Sequence, residues 1–287
     1  GDNGSTTYAG TTGALELSEI VSTVIDDGGN DIIAMGDGDK TVVAGFGADQ
    51  VDAGVGTHTV IGDNGQITYN AAGEPMVLQS TDTAANAGYG GDDIITLDNG
   101  DNTVIGGMGS DDITTGTGTE IILGDNGTIT YDETDGTRDL SSIVSTELSA
   151  GGIDTINMGD GDKTVIGGFG ADDVDAGTGN HIVIGDNGQI TYTADGAPLV
   201  LQSTDTTDHP EYGGADIITL TGNGNNTVIG GMGGDDIDSG VGANGTDIIL
   251  GDNGSITYAG AAGAVGRVDP PGELVHAPIQ HRGGGDS

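Results

Sequence analysis

The sequence predicts an all-β fold, a parallel β-roll or β-solenoid wound from very short strands. Three observations predict it. The tetrapeptide "GDNG" recurs at residues 1–4, 62–65, 124–127, 185–188 and 251–254, each time followed by "xxTY", at separations of 61, 62, 61 and 66 residues. Inside each unit runs a nine-residue frame, as in "GDGDKTVVA", "GFGADQVDA" and "GVGTHTVIG" from Gly36 onward. The composition leaves little for a layered core: 59 glycines, 3% aromatic residues and no tryptophan. Short periods nested within a longer one are the mark of a solenoid.

Each part of the frame has a physical reason. Glycine in the first and third places permits tight turns with positive φ. The aliphatic seventh place, held by Val42, Val51 and Val60, marks a strand of a few residues. Nine residues are too few for a helix pair, so the frame reads strand–turn–strand–turn. Two nonapeptides close one coil, and alternate nonapeptides stack at ~4.8 Å. The "QITY" strand and the run "PMVLQST" (75–81) bring each unit to six strands, or three coils. The first and third units match best, as do the second and fourth, so four ~61-residue units form two super-repeats of 123 residues. About twelve two-strand coils and a rod of roughly 60 Å follow. Residues 1–258 form this single repetitive body. Residues 259–287 drop the frame, bring Pro270 and Pro271, and read as an irregular tail that caps the last coil or reaches a neighbouring subunit. A His276/His281 metal pair in such a segment is set aside.

Charge narrows the function. With 46 Asp and Glu against 5 Lys and Arg, the formal charge is −41. Repulsion on that scale opposes a compact state unless counter-ions are bound. No basic footprint exists for nucleic acid. Acidic, glycine-rich chains with few aromatics are often disordered, but here the apolar residues are regularly placed. No cysteine is present for disulfide or thiolate chemistry. No apolar run approaches the ~18 residues of a membrane span, and no signal peptide opens the chain. The start in mid-repeat reads as a segment of a longer protein.

The fifth place of the frame carries the candidate chemistry. It holds Asp31, Lys40, Asp49 and His58, then Asp93, Asn102, Asp111 and Glu120. The second half gives Asp154, Lys163, Asp172 and His181, then Asp216, Asn226, Asp235 and Asp247. Every odd member is Asp. In a two-strand coil the odd members share one edge, where carboxylates stacked at a coil's spacing repel one another. Ca²⁺, which takes six to eight oxygens in flexible geometry, resolves this with Asp carboxylates and turn carbonyls. The GDNG turns fall on the same edge, so Asp63, Asp125, Asp186 and Asp252 join the expected ligands. The other reading of GDNG is an Asp–Asn–Gly turn that needs no metal.

The stretches "GGFGADDVD" (167–175), "GGMGSDDIT" (106–114) and "GGMGGDDID" (230–238) resemble the hemolysin-type RTX calcium-binding nonapeptide, G-G-x-G-x-D-x-U-x. The resemblance implies a parallel β-roll with Ca²⁺ between turns of alternate repeats, export by a type I route and folding on extracellular calcium. Lys40, Lys163, His58, His181, Asn102 and Asn226 stand where that family has Asp. Calcium is therefore expected along one edge only, with lysine supplying its own charge on the other.

Other patterns read as structural. "GDGDKT" lacks the G-K-[ST] and helix of a phosphate loop, and Asp39 or Asp162 would repel phosphate. His58 and His181 read as solvated or Asp-paired turn residues. Phe46, Met108, Phe169 and Met232 read as a packing ladder, and Tyr8, Tyr69, Tyr131, Tyr192 and Tyr258 as local packing. No nucleophile elbow, triad order or acid/base dyad is present, so the chain reads as non-enzymatic. The leading expectation is an extracellular or cell-surface, bacterial, calcium-loaded segment of an adhesin stalk or filament, associating end to end or continuing in a longer repetitive chain. The alternative is a calcium-triggered folding and secretion module of an exported enzyme or toxin. What flanks the segment discriminates them: further 123-residue repeats, or a hydrolase or pore-forming domain.

Overall fold

The computed structural model describes residues 1–11, 14–134, 136–205, 208–240, 245–259 and 264–269. Its strands form three sheets, each following sequence order from one end to the other. The outer parallel sheet holds eight strands: Ile32–Ala34, Gln50–Ala53, Ile94–Leu97, Asp112–Thr115, Thr155–Met158, Asp173–Thr178, Ile217–Thr221 and Asp236–Asp238. The central parallel sheet holds eight more: Lys40–Val43, His58–Ile61, Thr103–Gly107, Glu120–Asp125, Lys163–Gly168, His181–Asp186, Thr227–Ile229 and Ile248–Leu250. The third sheet is antiparallel and contains five hairpins, for example Gly65–Tyr69 with Pro75–Ser80 and Gly127–Asp132 with Asp139–Ser145.

The parallel solenoid expected from the nonapeptides is present, but the described residues form eight two-strand coils rather than the expected twelve. The "QITY" and "PMVLQST" strands do not close a third coil. The turn after Tyr69 sends the chain straight back: Asn70 Oδ1 accepts the N–H groups of Ala72 and Glu74, both at 2.9 Å, and Gly73 has φ +79°. The returning strand pairs antiparallel with its predecessor, whereas a parallel partner needs a crossover. Each unit thus adds two strands to every sheet, so the three sheets grow in step. At ~4.8 Å per strand the eight coils stack to roughly 35–40 Å.

Two cores hold the layers together. The aliphatic seventh-place residues, among them Val51, Val60, Ile95, Val104, Ile113 and Ile122, fill the space between outer and central sheets. The eighth place of the even nonapeptides (Ile61, Ile105, Leu123, Ile166, Ile184, Ile229 and Leu250) packs against Ile67, Leu78, Ile129, Ile143, Ile190, Leu201 and Ile256 of the hairpins. Outer strands therefore alternate exposed and buried residues, as at Gln50–Ala53. Central strands such as His58–Ile61 are buried throughout, as a parallel sheet covered on both faces must be.

The "TY" of each unit marks a β-bulge. All five hairpins shift register at the same step: Thr7/Tyr8, Thr68/Tyr69, Thr130/Tyr131, Thr191/Tyr192 and Thr257/Tyr258. Tyr69, Tyr131, Tyr192 and Tyr258 pack against the second core, while Tyr8 is exposed. Residues Ala264–Asp269, which the sequence places in the tail, form the return strand of the fifth hairpin. The histidines His276 and His281 lie outside the described residues.

Candidate metal centre

The turns that lead from central to outer strands bring the odd fifth-place aspartates into one file. Each lends its Oδ1 to the coil before it. The N–H of Asp31 donates to Asp49 Oδ1, that of Asp49 to Asp93, that of Asp93 to Asp111 and that of Asp111 to Asp154, at 2.6 to 2.8 Å. The file continues from Asp154 to Asp172, Asp172 to Asp216 and Asp216 to Asp235, at 2.8 to 3.1 Å. One oxygen of each carboxylate is thereby used as a backbone cap.

The other oxygen has no such use. The Oδ2 atoms of Asp49, Asp93, Asp111, Asp154, Asp172, Asp216 and Asp235 are all buried and all without a hydrogen-bond partner. A buried polar atom left unpaired costs about 1–3 kcal/mol, more for a charged group. Seven in a row call for a common partner.

Glycines make room for one. A Cβ built on Gly106 would stand 2.3 Å from Asp111 Oδ2 and 2.1 Å from Gly124 O. The same cradle recurs at Gly62 with Asp93 Oδ2 and Gly106 O, at Gly124 with Asp154 Oδ2 and Gly167 O, and at Gly185 with Asp216 Oδ2 and Gly230 O. Any side chain there would fill the space where carboxylate and carbonyl oxygens of successive coils converge. Among the described residues, no three His, Cys, Asp or Glu side chains gather into one group. A cation here would be held by carboxylates and main-chain carbonyls together, a set of hard oxygens suited to Ca²⁺.

Burial and repulsion both act against ionisation along the file. Burial, the larger effect, pushes the Asp93 carboxyl up to about 8, with the charges of Asp49 and Asp92 adding to it. Burial raises Asp154 and Asp216 to about 7 and Asp49 to about 6. Asp111 and Asp172 are pushed well above the usual carboxylate range by burial and then by neighbouring aspartates. Such a file is held neutral by protons or by a metal.

The GDNG aspartates sit beside this file but are differently employed. Asp63 accepts the Gly91 N–H through Oδ1 at 3.1 Å and the Met108 N–H through Oδ2 at 2.5 Å. Asp125 takes Gly152 and Phe169, Asp186 takes Gly214 and Met232, and Asp2 takes Gly29 and Phe46 in the same way. Each carboxylate ties two turns of the following unit together and has both oxygens satisfied. Asp252 is exposed, and no such pair of donors reaches it among the described residues. Asn64 adds a two-point contact to Asp82, and the Gly65 N–H donates to Ser22 Oγ at 3.2 Å. The tetrapeptide is thus a junction between units. The packing ladder read at Phe46, Met108, Phe169 and Met232 is also its hydrogen-bonding partner.

The opposite edge is built without stacked carboxylates. His58 donates its N–H to Asn102 Oδ1 at 3.0 Å, and Asn102 to Glu120 Oε2 at 3.1 Å. Acids in the second and fourth places occur on alternate coils, where Asp37 and Asp39 cap Val55 and Thr57, and Asp160 and Asp162 cap Thr178 and Asn180. His58 and His181 are fully buried, not solvated, and their Nε2 atoms bond Gly54 O and Gly177 O. The ring replaces water as the partner of its own turn. Lys40 Nζ donates to Asp37 O and Gly38 O at 2.7 and 2.6 Å.

Sequence reasoning placed the file on one edge but missed the junction role of GDNG; the signal was the doubled glycine ("YGG", "GGMG") that admits each carboxylate. Comparison with family models, with curated proteins and with solved structures finds no match to this chain.

Proposed function

We propose that this chain is an extracellular calcium-binding structural β-solenoid, a rigid segment of a surface stalk or filament. The observation that carries the reading is the single file of seven buried, unpartnered Oδ2 atoms. The ligands would be Asp93 Oδ2 with Gly106 O, Asp111 Oδ2 with Gly124 O, and their equivalents along the edge, with Asp49 and Asp235 nearest its ends. Bound calcium would supply the positive charge that lets stacked carboxylates ionise at neutral pH. The GDNG aspartates Asp63, Asp125 and Asp186 would act as junctions rather than primary ligands. Extracellular Ca²⁺ modules work at Kd values of about 10⁻⁴–10⁻³ M.

Among the described residues, the outermost parallel strands, Ile32–Ala34 and Lys40–Val43 at one end and Asp236–Asp238 and Ile248–Leu250 at the other, each pair with a strand on one side only, with the Gly1 N-terminus donating to Val43 O at 3.1 Å. Unpaired edges favour continuation by another chain or by further repeats. Circular dichroism with and without chelator tests the central claim. Loss of the β spectrum on chelation and its return with calcium is expected; an identical spectrum in both would sink the reading. Sedimentation in calcium tests association, where strictly monomeric particles would remove the filament part alone.

A further inference from the structure

Among the described residues, the second edge contains one charged pair withdrawn from water. Lys163 and Glu120 stand opposite each other on adjacent central strands. Both side chains are 0% exposed, with Nζ 3.8 Å from Oε1. Lysine on a turn ordinarily runs out to solvent. Here the ammonium donates to Gly118 O at 2.7 Å and to Asp160 O at 3.1 Å, the carbonyls of two successive turns. Glu120 Oε2 accepts the Asn102 N–H, as each aspartate Oδ1 does on the first edge, while Oε1 has no hydrogen-bond partner. The arrangement repeats that of the first edge: one carboxylate oxygen caps the preceding coil, and the other faces a space shared with turn carbonyls. On the first edge no side chain supplies positive charge to that space. On the second, a tethered ammonium fills it.

We propose that Lys163 is a built-in counter-ion occupying a latent divalent-cation site. Gly118 O, Asp160 O and Glu120 Oε1 would bind calcium once the ammonium is removed. The proposal rests on the reading that stacked turns of this chain bind calcium. It explains why the second edge departs from Asp at this place. A +1 charge delivered by the chain itself bridges two coils, so this one contact needs no bound ion. Among the described residues, Glu120 is the one fifth-place acid on this edge with a further coil stacked beyond it, and that coil supplies the lysine.

The test counts calcium bound to the full chain by equilibrium dialysis and atomic emission. Lys163→Ala is expected to bind one more ion per chain than the wild type. Lys163→Ala combined with Glu120→Gln, which keeps the cap on Asn102 but removes the charge, is expected to return to the wild-type count. An unchanged count in Lys163→Ala overturns the proposal. So does failure of that variant to fold in calcium when the double variant folds. A wild type that binds no calcium would end the first-edge reading by itself, and a gain of one ion by Lys163→Ala would still support this one.

Discussion

The N–H of Asp111 donates to Asp154 Oδ1 at 2.8 Å, while Asp154 Oδ2 lies buried with no donor in reach. One carboxylate thus has two environments: Oδ1 fixes the stacking of two coils, and Oδ2, on the proposed function, would face a cation. The two can be separated by chemistry. Asp154→Asn keeps the accepting oxygen and removes the charge. Burial lifts the Asp154 carboxyl to about 7, so at pH 7.5 without calcium the substitution should stabilise the chain, on the order of 2–4 kcal/mol. With calcium it should be worse than the wild type, because one ligand is gone. Retention of more β circular dichroism than the wild type in chelator at pH 7.5, and an earlier urea midpoint in calcium, measure the two signs.

Acid should stand in for calcium. Burial, assisted at several positions by neighbouring aspartates, raises Asp93 and Asp186 to about 8, Asp154 and Asp216 to about 7, and Asp49 to about 6. In the unfolded chain these groups titrate at ~3.9. The folded state therefore holds more protons, and the stability they contribute is complete below about pH 4 and lost as pH rises through about 6 to 8. In chelator, β circular dichroism should be retained at pH 4 and lost by pH 8. In calcium it should persist at pH 8. A calcium-free chain equally folded at both pH values would contradict the buried file.

The junction aspartates should behave otherwise. Asp63→Ala leaves the Gly91 and Met108 N–H groups without their acceptor, at about 1–3 kcal/mol for each. The loss should be the same in chelator at pH 4 and in calcium at pH 8, the two conditions in which the chain is expected to fold, whereas the loss in Asp111→Asn should be confined to calcium. Paired denaturation curves for the two variants distinguish a structural clamp from a metal ligand.

The sequence made one half of this arrangement legible and hid the other. Glycine in two places and Asp in the fifth are local requirements of a turn, repeated with each coil, so Asp49, Asp93 and Asp111 could be assigned to one edge by counting. The third sheet is a longer-range matter. It shows only in the eighth place, where Ile61, Ile105 and Leu123 follow a seventh-place valine or isoleucine and give central strands two apolar faces. Outer strands have Asp52, Thr96 and Thr114 there instead. The turn "NAAGE" (70–74) after Tyr69 was the second signal, since Asn and Gly so placed reverse a chain directly. The junction made by GDNG stayed hidden because its Asp is bonded not within its own turn but to Gly91 and Met108, far along the chain.

The doubled apolar places give a direct test of the central sheet. Leu123 is buried between the central strands and the hairpins. Leu123→Ala should cost about 2–5 kcal/mol. On the exposed face of the outer sheet, Thr114→Ala should change stability by less than about 0.5 kcal/mol. Were Leu123 only the outward face of a two-layer coil, the two substitutions would be alike in thermal unfolding.

The cradle glycines allow the last separation, between a glycine kept for its turn and one kept for an ion. Gly106 has ordinary φ, yet an added Cβ would meet Gly124 O at 2.1 Å and Asp111 Oδ2 at 2.3 Å. The first of these is backbone, so the coils must part to admit it. Gly36, in a first place of the same frame, has nothing within 4 Å of an added Cβ. Gly106→Ala should therefore destabilise by more than about 2 kcal/mol and lower the number of bound calcium ions, whereas Gly36→Ala should alter neither. Gly73, at φ +79° in an open hairpin turn, should on replacement by Ala lose about 1 kcal/mol to backbone strain without changing the ion count. Metal counting and thermal melts on the three variants decide it: an unchanged ion count in Gly106→Ala would mean that the glycine serves coil packing alone.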